Sequence, residues 1–198
     1  VQNGILTLGD KFFLLDSKTI EEENLEKNFI RKVVKGSTYK GQKSQEKNIF
    51  FPYQWSADKG KWVGLTEAQF LEKAPNLYAR YVQCKADLEN RSRDAHSEWF
   101  WFGRSQALQS VSSEKLVISH ILAPDAVRLR AHIVPSGTLV YSGLFIHEKE
   151  NKKSLREIKT LIETEACAEY LKSYGKDMSQ GYKAFSSPIL GNFPLDEM

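Results

Sequence analysis

The sequence predicts an α+β fold, and three observations carry that prediction. Short apolar runs bounded by turn residues fill residues 1–65 and 94–146. Apolar residues at helical spacing occupy about 66–91 and 152–174. The order is therefore strands, helices, strands, helix, which segregates the two types along the chain rather than alternating them. With 198 residues there is room for one medium domain, or one domain with a small subdomain.

Taken in order, Gly4 to Leu8 and Lys11 to Leu15 read as two short apolar strands, with Gly9-Asp10 as the hairpin turn between them. Phe29 to Val34 fits a strand or a short helix. Gly36 to Gln45 is polar, holds two glycines and reads as a loop. Asn48 to Trp55 is aromatic and reads as a strand ending at Pro52-Tyr53. Thr66 is the N-cap of a helix, with Gln69 three residues on as its capping-box partner. Pro75 suits the first turn of the next helix, which the spacing of Leu77, Tyr78, Tyr81, Val82 and Leu88 carries on to Arg91. Lys115 to Ser119 reads as a strand. Ala131–Val134 and Thr138–Tyr141 flank Pro135-Ser136-Gly137, the signal of a hairpin. Ser154 to Tyr174 reads as one long helix stopped by Gly175. No internal repeat appears.

Composition excludes several classes. Hydrophobic residues are 41% and charged residues 27% of the chain, which suits a folded domain and not a disordered one. No apolar run reaches the roughly 18 residues of a membrane span. Cys84 and Cys167 lie far apart with no CxxC, so neither a disulfide framework nor a cysteine zinc site is expected, and a cytoplasmic setting is the default. There is no GxGxxG, GxxxxGK[ST] or GxSxG. His96, His120, His132 and His147 form neither HxxxH nor HExxH. No active site is legible, and neither a catalytic residue nor a metal site is expected. The first residue is Val1 and not Met, so an excised fragment is expected.

Charge is unevenly placed. Residues 31–47 carry Arg31, Lys32, Lys35, Lys40, Lys43 and Lys47 against Glu46 alone, a local +5 in a chain whose total is +3. The remainder sums to −2. A clustered basic loop attracts phosphates over about a Debye length, and a solvated lysine loop is the plain alternative. The second anomaly is Trp99-Phe100-Trp101-Phe102-Gly103-Arg104-Ser105-Gln106. Arg and Gln are the side chains that read guanine and adenine edges, whereas the four rings suit a core strand.

Several stretches, in this order, resemble a known family. Gly4 to Phe13 is similar to its opening TG-I-x-T-x-x-D-x-x-F stretch, Ile30 to Lys40 to its basic segment, and Ile49-Phe50-Phe51-Pro52-Tyr53 to its I-I-F-P-Y strand. Pro75-x-x-Tyr78, Lys85-x-x-Leu88-x-x-Arg91, Trp99 to Gln106 and Lys115-Leu116-Val117 follow its central pattern. Gln180-Gly181-Tyr182 and Leu190-Gly191-Asn192-Phe193-Pro194 resemble its closing stretch, with Ser179-Gln180 in place of a glycine run. The family is the C-terminal target-recognition, or specificity, domain of TaqI-like adenine-specific DNA methyltransferases of type II restriction-modification systems, sometimes fused to an endonuclease.

The resemblance implies one target-recognition domain over 1–198: an irregular β-rich part plus a helical hairpin whose legs lie near 75–91 and 152–174. It implies double-stranded DNA as partner, beside a catalytic methyltransferase domain of the same chain. That domain would hold S-adenosylmethionine and flip the adenine; no cofactor is expected in these residues. The DNA-facing set is Arg31, Lys32, Lys35, Lys40, Lys43, Arg91, Arg93 and Arg104, with Ser37, Tyr39, Gln42, Gln45, Gln106 and Lys183 as weaker members. The alternative from another class is a protein-interaction module using the aromatic and helical surfaces; a nuclease built from scattered acids and lysines is a third.

Overall fold

Local chemistry sets most helix starts in the computed structural model, which describes residues 1–147 and 153–194. In chain order the strands are β1 (Gln2–Asn3), β2 (Leu14–Leu15), β3 (Ile30–Lys35), β4 (Lys47–Phe50), β5 (Tyr53–Ser56), β6 (Lys61–Gly64), β7 (Lys115–Ile118), β8 (Ile121–Leu122), β9 (Ala131–Val134), β10 (Leu139–Tyr141), β11 (Leu144–His147), β12 (Lys176–Asp177) and β13 (Lys183–Ala184). The α-helices are α1 (Asp10–Phe13), α2 (Ser17–Glu22), α3 (Glu67–Lys73), α4 (Pro75–Val82), α5 (Lys85–Asn90), α6 (Leu155–Ile162), α7 (Glu165–Tyr174) and α8 (Ser187–Gly191). The fold is α+β, as the sequence predicts. It divides into two compact units, one of residues 5–33 and 46–109, the other of 1–4, 34–45 and 110–198. This division cuts across the β-rich and helical segments read from the sequence.

The first unit is built on aromatic residues. Antiparallel β2-β4-β3 pairs Leu14 with Ile49 and Arg31 with Ile49 across the central strand. Phe50 stacks against Phe70 and meets Tyr81 at a tilt, with ring centroids 5.1 and 4.4 Å apart. Phe13 meets Phe102 edge-on at 5.3 Å, and Phe70 lies 4.5 Å from Phe100. Burial of these rings is the main stabilising term of the unit. Thr66 and Gln69 close the expected capping box of α3. Asn76 and Leu77 N–H, at the start of α4, donate to the Glu26 carboxylate at 2.8 and 2.9 Å, so a distant acid caps a helix whose own sequence offers only Pro75.

The second unit centres on the antiparallel sheet β1-β11-β7-β9, in which Lys115 faces Val134 and Val117 faces Phe145. Leu116, Ile118, Leu129 and Leu144 from this part of the chain pack with Leu155, Ile158, Ile162 and Leu171 from α6 and α7. A smaller sheet, β12-β13-β8, joins the same unit. Ser154 and Glu157 form a capping box at α6.

Several elements differ from expectation, each for a local reason. Gly9-Asp10 is not a hairpin turn. Thr7 Oγ1 donates to Asp10 Oδ1 and Phe12 N–H to Gly9 O, which opens the helical turn α1. The aromatic strand stops at Phe50, and Tyr53 instead starts a separate hairpin, β5–β6. The helix expected to run to Arg91 breaks at Cys84, whose φ of −115° and ψ of 18° leave helical geometry. The helix expected over 154–174 breaks at Glu163-Thr164: Glu163 accepts from Ala131 N–H at 2.8 Å and Thr164 caps α7. Residue 152, placed at the start of that leg, lies outside the described residues. The two expected hairpin legs fall in different units, and each buries its apolar stripe within its own. Residues 98–103 form a turn, not a strand. Trp99, Phe100 and Phe102 are nonetheless buried, as core rings should be. β9 and β10 flank the expected turn but do not pair with each other; β9 pairs with β7, and Tyr141 of β10 accepts from Gly36 N–H at 2.8 Å.

Candidate nucleic-acid interface

The second unit clamps the basic loop through its backbone. Gly36 and Ser37 N–H donate to Tyr141 O and Ser142 O at 2.8 and 2.7 Å. Thr38 and Tyr39 N–H both return to Lys35 O, making a tight turn. Gln45 braces the far side: its Oε1 accepts from Lys40 N–H at 2.7 Å and its Nε2 donates to Thr38 O at 2.9 Å. Gln45 therefore shapes the loop from within. Gly41 takes a φ of +78° and passes so close to His132 that a Cβ there would lie 2.7 Å from Nδ1. The Tyr39 ring sits edge-on to the same imidazole at 5.7 Å.

This loop forms one wall of a cleft of about 500 Å³. Tyr39, Lys40 and His132 line it with Asp125, Arg128 and Arg130 from the segment after β8. Leu129 is 1% exposed and packs in the core, while its neighbours Arg128 and Arg130 are exposed. The exposed–buried–exposed pattern leaves both arginines on the surface around a buried leucine, and both line the cleft. Three basic side chains, Lys40, Arg128 and Arg130, stand against the one carboxylate of Asp125. Burial, together with Lys159 and Arg130 and against Glu163, holds the His132 imidazole below its usual range. A concave, positive, partly aromatic surface is suited to a polyanion with ring faces. Among the described residues no group of His, Cys, Asp and Glu is arranged to hold a metal ion.

Of the sequence-predicted residues, Lys35, Ser37, Tyr39, Lys40, Gln42 and Lys43 lie on this loop, with Lys35, Lys40, Gln42 and Lys43 exposed. Lys183 is on β13, paired with Asp177 at 2.7 Å, and does not line the cleft. The rest belong to the first unit. Lys32 Nζ donates to Asn48 Oδ1 at 2.8 Å, beside a hollow of about 270 Å³. Arg31 Nη1 donates to Asn28 O and Ile30 O, and its guanidinium lies over the Phe51 and Trp62 rings at 5.4 and 5.9 Å. Arg93 donates to Ser97 O. Arg104 pairs with Asp94 at 3.7 Å and donates to Gly103 O, and Gln106 is exposed.

Arg91 is corrected by the structure. Its Nε donates to Leu88 O at 3.1 Å, and its Nη atoms donate to Thr7 O, Trp99 O and Trp101 O. Burial and the nearby Arg93 push its pKa down to about 10, which still leaves it charged at neutral pH. It knits the 98–103 turn to the rest of its unit and has no fork left for a phosphate. Sequence reading missed Arg128 and Arg130. The available signal was the Arg-Leu-Arg alternation, a single apolar residue between two charges, which marks a half-buried segment.

Neither a protein-family model nor a curated protein matches the chain. Among solved structures, the Type IIL restriction-modification enzyme MmeI in complex with DNA is similar, with a TM-score of 0.69 and 14% identity. The match covers 96% of this chain and 24% of that one. The fold is that of a segment of a restriction-modification enzyme. The chain spans about a quarter of that enzyme's length. Among the described residues no helix is long and apolar enough to cross a membrane.

Proposed function

We propose that this chain is the DNA target-recognition part of an adenine-specific methyltransferase of a restriction-modification system. The observation that carries the reading is the fold: 96% of the chain matches a segment of an enzyme solved with DNA bound. The cleft supports it independently. Lys40, Arg128 and Arg130 face one concavity and suit successive backbone phosphates, with Lys35 and Lys43 adding to the field. The TaqI-like motif order in the sequence supports the finer assignment to an adenine methyltransferase. In this reading a catalytic domain outside these residues supplies S-adenosylmethionine and receives the flipped adenine, while this chain holds the duplex and contributes to the choice of site.

The test is fluorescence anisotropy of the chain with duplex DNA over rising salt. Neutralising about three phosphates predicts that log K falls with log salt at a slope near −3. Binding that is undetectable at low salt, or that ignores salt, would overturn the reading. For the finer assignment, the intact enzyme should transfer a methyl group from S-adenosylmethionine to adenine in duplex DNA.

A further inference from the structure

The hairpin β5–β6 belongs to the first unit and contributes no residue to the cleft. Its register pairs Trp55 directly with Trp62, and Ser56 with Lys61. The two indoles meet edge-on at 5.9 Å, and Trp62 in turn meets Phe51 edge-on at 5.2 Å. Trp62 is thus anchored to the core, while Trp55, at the outer end of the row, is 52% exposed. The ribbon is held rigid from the side. Gln109 Oε1 accepts from Trp62 N–H at 3.1 Å and its Nε2 donates to Trp62 O at 3.3 Å, so one amide continues the strand pairing along the edge of β6. On the other strand Lys73 Nζ donates to Gln54 Oε1 at 2.7 Å. A lone two-stranded hairpin is marginal in water, and these braces make it a fixed platform. Charge around the platform is positive. The Arg31 guanidinium lies over Trp62, and the exposed Lys59 and Lys61 flank the turn against Asp58.

We infer that Trp55 is a stacking surface for a nucleobase of the bound DNA, exposed where the duplex is opened; this rests on the DNA-recognition reading above. An indole offers a flat π face that any base can meet, and a rigid aromatic loses little side-chain entropy on contact. The surrounding cations match the adjoining phosphates, which a neutral apolar partner would not require. An intact duplex hides its base faces, so the platform works only on an unpaired or extruded position.

The experiment compares binding of the full chain to a fully paired duplex and to the same duplex carrying one unpaired base. The wild type is expected to favour the second, with tryptophan fluorescence quenched on binding. Trp55→Ala is expected to lose that preference, about fivefold or more on the unpaired-base duplex, and to leave the paired duplex within twofold. Trp55→Phe keeps most of the preference, and with circular dichroism it separates loss of stacking from loss of fold. If the wild type binds both duplexes and Trp55→Ala changes neither, the inference is overturned while the DNA reading stands. If the wild type binds no DNA, the reading itself fails and the inference with it. Concentration-dependent self-association abolished by Trp55→Ala would also overturn it, in favour of a contact between copies.

Discussion

Lys115 is 1% exposed at the start of β7, facing Val134 on β9 and His147 on β11. Its ammonium donates to Ser113 O at 2.8 Å and reaches Val111 O at 3.4 Å, and burial pushes its pKa down to about 8. The ordinary value of about 10.5 applies in the unfolded chain. Below pH 8 both states carry the proton, and above 10.5 neither does. Between these limits the unfolded state binds more protons, so stability rises with pH across that window. Lys115→Met is expected to flatten this rise. At pH 7 it should also add about 1 kcal/mol, less than the pKa shift alone implies, because two carbonyls lose their donor. Urea unfolding midpoints at pH 7, 9 and 10 measure both effects. A slope that persists in the variant would assign the titration to another group.

At the scale of elements, the loop before β4 depends on one backbone conformation. Gly41→Ala would place a methyl 2.7 Å from the His132 ring at a φ of +78°, where side chains are strained. A cost of about 1–2 kcal/mol is expected, confined to the loop. Amide exchange at Tyr39 and Lys40 should quicken while that of Leu116 to Ile118 stays protected; equal acceleration in both would show that the loop is not an independent element. Such features mark the limit of what the sequence makes legible. Thr66 with Gln69, Pro75 and the strand at Lys115 were readable because cap, ring and periodicity act within a few residues. The breaks at Cys84 and Glu163 were not, because distant partners shape them: Ala131 N–H takes the Glu163 carboxylate, and Lys85 ties α5 to Glu67 at 2.9 Å. The site divides the same way. The basic loop could be seen as a run of charge, whereas Arg128 and Arg130 join it only through a cleft between segments some ninety residues apart in sequence. Arg91 was misread for the opposite reason, since nothing local announces that four carbonyls converge on it.

At the scale of the whole molecule the question is whether net charge or its placement governs binding. A total of +3 in 198 residues gives a weak long-range field, and salt at physiological strength screens it beyond roughly 8 Å. Affinity for DNA should then follow only the cations that meet phosphates. Lys40 and Lys172 separate the two ideas. Lys40 lines the cleft, and Lys172 lies on α7 outside it. Reversal of either to glutamate lowers the net charge by the same two units. If placement governs, Lys40→Glu should weaken duplex binding about tenfold or more and make the salt slope shallower by about one, because one counterion fewer is released. Lys172→Glu should stay within twofold of the wild type at an unchanged slope. Equal losses in the two variants would mean that the chain attracts DNA through its overall charge, and the cleft would lose its claim to the phosphates.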